Sequence, residues 1–217
     1  MPRVSVIIPN FNYGRYLGAR LRSVLEQTFP DFEAIFLDDA STDNSLAVFS
    51  EFAADPRLRS LLNPVNSGNP YRQWNKGLRE AQGEYIWIAE ADDRAAPDFL
   101  AELVGRLDRH PAAGLAYCQS FIIDENDRVT GDNLSWTDEI DPQRWRSDFI
   151  LPGPEACARL LLRKNIIPNA SAVLIRRSAL ERAGLPCETM RYAADWMTWV
   201  NILLGSELVY VARPLNY

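Results

Sequence analysis

Short apolar runs alternate with segments of helical period along the first 123 residues, and this alternation limits the chain to a small set of architectures. Residues 4–8, 32–37, 58–62, 84–89 and 115–123 are mostly apolar stretches of strand length. Runs of this kind, bounded by turn residues, suit strands buried on both faces. Between them, residues 15–28 carry Leu17, Leu21, Val24 and Leu25 at helical spacing, and residues 42–53, 71–81 and 97–109 read as three more helices. Ser41 or Thr42 is placed to cap the second helix, and Pro97 stands near the first turn of the fourth. Strands alternating with helices of this length predict βαβ units, right-handed crossovers and a mostly parallel α/β sheet flanked by helices. Ligands of such sheets bind along the edge formed by the strands' carboxyl ends.

Two of those ends are acidic. The second strand closes on Asp38-Asp39-Ala40-Ser41, and the fourth runs into Glu90-Ala91-Asp92-Asp93. Both belong on one edge of the sheet and converge on one crevice. Along an extended chain Glu90 and Asp92 share a face. Carboxylates this close repel and raise one another's pKa. A hard divalent cation, Mg²⁺ or Mn²⁺, relieves the conflict. Helix N-termini also favour acids, so both clusters have a capping alternative that the residues alone leave open.

Composition removes several classes of function. A net charge of −6 over 217 residues argues against a nucleic-acid surface. No apolar run approaches the ~18–20 residues of a membrane span, and the N-terminus enters a strand without a signal-peptide core. A cytoplasmic protein is expected, with a peripheral place at the inner face of a membrane left open. Cys118, Cys157 and Cys187 are scattered and form no metal-binding spacing. His110, the only histidine, precedes Pro111 at an expected helix end, so carboxylates are the candidates for proton transfer.

The pattern loosens after residue 123. Residues 124–153 are rich in Asp, Asn, Pro and Gly and read as a long functional or mobile loop carrying Trp136 and Trp145. Order returns with helices at 154–164, 178–183 and 193–204 and strands at 172–176 and 207–212. The chain then stops at Tyr217, which reads as one module of a longer protein.

Three ordered stretches resemble glycosyltransferase family 2. They are Val4-Ser5-Val6-Ile7-Ile8-Pro9-Asn10-Phe11-Asn12 with Gln27-Thr28 after it, Asp38-Asp39-Ala40-Ser41-Thr42-Asp43, and Asn75-Lys76-Gly77 leading through Gly83-Glu84-Tyr85 into Glu90-Ala91-Asp92-Asp93. The resemblance implies a GT-A fold, a Rossmann-like mixed, mostly parallel sheet. Residues 1–123 would then be the nucleotide-sugar-binding half and residues 124–217 the acceptor-binding half of one domain. It further implies donor contacts from Pro9, Phe11, Asn12, Asp38, Asp39, Asn75 and Asp92. Phe11 would pack on the base, and Asp39 would accept the base N3–H, which favours uracil or thymine over cytosine. The metal would be held by Asp93 and Asp92, with Glu90 standing where the family usually has Asp. Asp195 would be the general base, although Ala194 replaces the acid that often precedes it, and an Asp here also suits a helix cap. Trp196 and Trp199 would wall the acceptor site or fill the core.

The function implied is inverting transfer of a sugar from a UDP- or dTDP-sugar to a hydroxyl of a polysaccharide, lipid-linked or protein acceptor. A non-catalytic sugar-nucleotide-binding module is the alternative. A nucleotidyltransferase is disfavoured, because Asn10-Phe11-Asn12-Tyr13-Gly14 has one glycine and no lysine where a phosphate loop would stand.

Overall fold

The apolar runs become β1 (Val4–Asn10), β2 (Phe32–Asp38), β3 (Leu58–Leu62), β4 (Tyr85–Ile88) and β5 (Ala113–Ile123). The helices between them are α1 (Gly14–Leu25), α2 (Ser45–Ser50), α3 (Pro70–Glu80) and α4 (Phe99–Arg109). The second half adds β6 (Val129–Asp132), β7 (Phe149–Pro152), β8 (Val173–Arg176) and β9 (Glu207–Asn216). Its helices are α5 (Leu134–Thr137), α6 (Gly153–Ala156), α7 (Arg177–Ala183) and α8 (Ala194–Leu203). The structure, a computed structural model, describes all residues from 1 to 217.

All nine strands belong to one sheet, in the order β3-β2-β1-β4-β8-β5-β9-β7, with β6 paired to β5. β1 lies between β2 and β4 and is parallel to both. β8 enters antiparallel between β4 and β5. β9 runs parallel to β5, and β7 closes the edge antiparallel to β9. The sheet is therefore the mixed, mostly parallel one expected, with helices on both faces.

Alternation along the central strands divides the core in two. Val4, Val6 and Ile8 of β1 join Trp87 of β4 beneath α1 and α4, whereas Ile7 joins Ile86 and Ile88 beneath α3 and α8. Strands apolar on both faces are what a sheet covered on both sides requires. Gly77 lets α3 lie close on β1: a Cβ there would stand 2.5 Å from Ile7 Cγ2. That approach brings the first turns of α3 over the ends of β1, β2 and β4.

Three expectations are corrected. α2 begins at Ser45, not at residue 42, and neither Ser41 nor Thr42 caps it. Residues 41–44 are spent on the loop instead: Asp43 Oδ2 accepts Gly14 N at 2.8 Å, and Asp43 Oδ1 accepts Ser45 N at 2.9 Å. Residues 124–153 are not one long loop, since they hold β6, α5 and β7. Trp145 anchors the segment, fully buried with its indole N–H donating to Tyr117 Oη at 2.7 Å. The Asp residues that read as loop signals instead close local turns, as where Asp141 Oδ1 accepts Gln143 N at 3.0 Å and Arg144 N at 3.1 Å. The helix expected over 154–164 splits into α6 and a π-helical turn, Cys157–Leu161.

The last strand also runs four residues beyond the expected end. Leu215 is fully buried, and Tyr217 exchanges two backbone hydrogen bonds of 2.8 Å with Arg94. The end of β9 thereby fastens the chain just after the acidic turn.

Candidate active site

The carboxyl ends of β1, β2 and β4 open into a crevice of about 640 Å³. Its lining includes Pro9, Phe11, Asn12, Asp39 and Glu90, all singled out from the sequence, together with Tyr13, Asn66 and Gln73, which were not. A volume of this order accommodates a nucleotide-sized ligand. Phe11 and Tyr13 are about two-fifths exposed beside it, unusual for aromatic rings and suited to stacking.

Asp38 and Asp39 follow one another but do different work. Asp38 is buried, taking Asn10 Nδ2 at 2.8 Å and Ser41 Oγ at 2.6 Å on Oδ1 and Ser41 N at 2.9 Å on Oδ2. It pins the turn after β2 and leaves the crevice lining to its neighbour. Asp39 Oδ1 accepts Asn63 Nδ2 at 2.7 Å and Gln73 Nε2 at 2.8 Å, while Ser67 Oγ donates to Oδ2 at 2.7 Å. Neither carboxylate caps α2. Between Asp39 and Ser41, Ala40 holds φ +61°, a left-handed backbone that costs a non-glycine residue about 1 kcal/mol. Asn12 (φ +59°) stitches the two loops, its Oδ1 accepting Thr42 N at 2.8 Å. Asn75 lies elsewhere: it is buried and ties α3 to the chain before α8 through Pro186 O at 2.9 Å and Glu188 Oε1 at 2.8 Å.

The acidic cluster sits on a turn, not on an extended strand. β4 ends at Ile88, and Asp93 N donates back to Glu90 O at 3.3 Å. Helix α4 begins only at Phe99, so these acids do not cap it. Glu90 is fixed at three points. Its N–H meets Ser171 Oγ at 2.9 Å, its carbonyl accepts Arg20 Nε at 2.7 Å, and its Oε1 accepts Trp74 Nε1 at 2.7 Å. Burial first, then the neighbouring Asp92 and Asp93, push the Glu90 carboxyl up to about 8 against the Trp74 hydrogen bond. Burial likewise raises Asp93, opposed chiefly by Arg20. Asp92 is exposed and lines a second crevice with Asp93, Tyr13 and Asp124. Tyr13 lines both crevices, and Asp92 most of all raises its phenol.

Glu90 makes stability depend on pH. With no divalent ion present, the folded chain holds its proton up to about 8, whereas the unfolded carboxyl ionises near 4.5. A raised acid favours the fold fully below the unfolded value, and that contribution is lost as pH rises towards about 8. Glu90→Gln is therefore expected to flatten this slope and to be more stable than the parent at pH 8 by on the order of 2 kcal/mol. Urea melts at intervals across the range, in EDTA, check it; an unchanged slope rejects the assignment.

No three Asp, Glu, His or Cys side chains converge as a ready-made metal cage. The donor chemistry still fits Mg²⁺ or Mn²⁺ in a nucleotide site, because such ions take one or two carboxylates and fill the remaining positions with water and phosphate. Asp92 and Asp93, adjacent on one turn, are the residues that would supply them.

Asp195 stands in the first turn of α8 and makes no cap; the N-cap is Ala193, at φ +60°. Its Oδ1 receives the Tyr71 hydroxyl at 3.3 Å. Tyr71 meets Trp74 edge-on, with ring centroids 5.3 Å apart. The start of α3 thus touches Asp39 through Gln73, Glu90 through Trp74 and Asp195 through Tyr71. Trp199 is fully buried and serves the core, whereas Trp196 is only partly buried. The sequence offered no sign of the Gln73 and Trp74 contacts beyond their nearness to Asn75-Lys76-Gly77. Lys76 itself turns to Asn63 Oδ1 at 2.5 Å and Arg72 to Ser67 O at 3.1 Å.

The crevice at the carboxyl ends of the parallel strands, with Asp39 and Glu90 in its lining and the acidic turn beside it, defines an α/β protein whose candidate ligand site lies on that sheet edge. The sequence matches the family description "Glycosyl transferase family 2" over residues 5–184, and the chain belongs to that family. An uncharacterized glycosyltransferase of Nostoc sp. is 29% identical over 201 residues, 92% of this chain and 57% of the relative. The crystal structure of Staphylococcus aureus TarS 1–349 with UDP superposes with a TM-score of 0.78 at 21% identity, over 99% of this chain and 60% of that one. Mannosyltransferase PcManGT from Pyrobaculum calidifontis, in complex with GDP-Man and Mn²⁺, gives 0.70 at 24% identity over 98% and 55%. These likenesses establish the GT-A fold. The chain spans less than two thirds of the length of each of these proteins.

Proposed function

We propose that the protein is an inverting glycosyltransferase that moves a sugar from a nucleoside-diphosphate donor, UDP- or dTDP-linked, to an acceptor hydroxyl. The observation that carries this reading is the reach of α3, which bonds the crevice acid Asp39, the acidic-turn residue Glu90 and the α8 acid Asp195 from within four successive residues. In this reading the base stacks on Phe11 and presents its N3–H to Asp39. Asp92 and Asp93 hold a divalent ion, which when bound stabilises charge developing on the diphosphate. Asp195 takes the proton of the acceptor hydroxyl as that oxygen attacks the anomeric carbon from the face opposite the diphosphate. Acceptor contacts come from residues 124–217, with the partly buried Trp196 beside the base. The TarS complex with UDP and the PcManGT complex with GDP-Man and Mn²⁺ support a sugar-nucleotide donor and a metal. A cytoplasmic setting goes with such donors; no helix is long and apolar enough to cross a membrane.

Thermal melts with UDP, dTDP, GDP and CDP, each with and without Mn²⁺, test the donor assignment. A ligand at about 100 times its dissociation constant adds about 2.7 kcal/mol, which at this chain length raises the melting temperature by about 5–10 °C. A Mn²⁺-dependent rise with UDP or dTDP and none with CDP is the expected result. In Asp93→Ala the Mn²⁺-dependent part of the rise should vanish; a full response in that variant removes Asp93 from the ligand set. Donor hydrolysis or transfer then separates an enzyme from a binding module, since a module shows the melting shift without turnover.

A further inference from the structure

Arg20 is a site residue that no motif announces. It lies on α1 with 0% exposure, yet it is a guanidinium with five N–H donors. Its Nε donates to the carbonyl of Glu90 at 2.7 Å. Its Nη1 and Nη2 have no hydrogen-bond partner at all. The nearest opposite charge is Asp93, with Nη2 to Oδ2 at 3.8 Å, and the Trp87 ring lies 5.5 Å from the guanidinium carbon on another side. A fully buried cation that satisfies one donor in five is expensive unless an opposing field offsets it. That field is supplied chiefly by Asp93, with Asp92 next to it on the turn. The dependence runs both ways, because the adjacent carboxylates Asp92 and Asp93 repel one another unless a cation lies near.

We propose that Arg20 is the resident counter-cation of the acidic turn. It fixes the turn through the Glu90 carbonyl and neutralises Asp93 from beneath before any metal arrives. Its consequence is an order of binding. The nucleotide-free turn, already partly neutralised, attracts a divalent ion weakly, and the ion is recruited when the donor's diphosphate adds its own negative oxygens. Arg20 is in these terms a positioning residue, touching neither donor nor metal. The inference rests on the reading that Asp92 and Asp93 hold a divalent ion, and its test does not depend on turnover.

The test is Mn²⁺ binding to the full chain, followed by loss of the free-ion electron paramagnetic resonance signal, with and without UDP. The parent is expected to bind Mn²⁺ weakly alone and at least tenfold more tightly with UDP. Arg20→Gln keeps a donor for the Glu90 carbonyl but removes the charge. It is expected to gain affinity for Mn²⁺ without UDP, by on the order of tenfold or more. Arg20→Lys keeps the charge and should stay close to the parent. A Gln variant that is folded but binds no more tightly overturns the proposal, as does a Lys variant that follows Gln. Should Arg20→Gln not fold, the parent still decides: equal Mn²⁺ affinity with and without UDP refutes the ordered recruitment. If the parent binds no Mn²⁺ in either state, the metal reading itself fails, and the proposal fails with it.

Discussion

Asp195→Asn is expected to lower the rate of sugar transfer by about 10²–10⁴-fold, the usual worth of a positioned general base, while nucleotide affinity stays at the parent value. The substitution is nearly isosteric and keeps an Oδ1 acceptor for the Tyr71 hydroxyl, which donates to it across 3.3 Å. Asp195 supports α8 from the first turn without capping it, so the helix loses no side-chain bond. Stability should change by no more than about 0.5 kcal/mol, as at other sites outside a core or network. Single-turnover assays with a radiolabelled donor, set beside nucleotide titrations, separate the two effects. A variant that loses nucleotide binding as well would move Asp195 from chemistry to architecture.

Asp39→Asn is expected to damage the donor site and the fold together. The carboxylate collects Asn63, Ser67 and Gln73, and its own carbonyl accepts Asn66 Nδ2 at 3.1 Å. An amide offers one acceptor in place of two and turns an NH₂ towards groups that are already donors. Each buried donor left without a partner costs about 1–3 kcal/mol, so a loss of about 2–4 kcal/mol is expected. For a chain of this size that lowers the melting temperature by about 4–16 °C. Uridine nucleotide affinity should fall by about 100-fold, because the base loses its acceptor and residues 66–70 lose their anchor. Calorimetric melts and titration with UDP measure both. Full UDP affinity in the variant would assign Asp39 to loop support alone.

Much of this site was legible from local chemistry. The strand-helix alternation of residues 4–109 placed the acids of β2 and β4 on one sheet edge, because parallel strands joined by right-handed crossovers must present their carboxyl ends together. Asp39 and Glu90 share a crevice for that reason. The acidic turn was legible too, although its shape was not. The strand reading extended the chain through Glu90 and Asp92, although β4 ends at Ile88, because periodicity marks where apolar residues stop and not where the backbone begins to turn. Residues 124–153 misled in the opposite direction: Asp141 and its neighbours close turns, and buried Trp145 supplies the anchor that a loop reading lacks.

What the chain determined by itself was the strands and helices of its first 123 residues, to within a few residues at their ends, and the edge where its acids gather, all set by near neighbours and by side-chain period. Only the tertiary structure decided which polar side chains line the crevice and which tie the fold together. Asp38 is consumed by Asn10 and Ser41, and Asn75 by the chain before α8. Arg20, 70 residues from Glu90 in sequence, reaches it because α1 packs over β4. Tyr71 and Asp195, 124 residues apart, meet because Gly77 lets α3 settle on the sheet. Hydrogen bonds and charge fields act over a few ångströms of space, and only folding turns those separations into contacts.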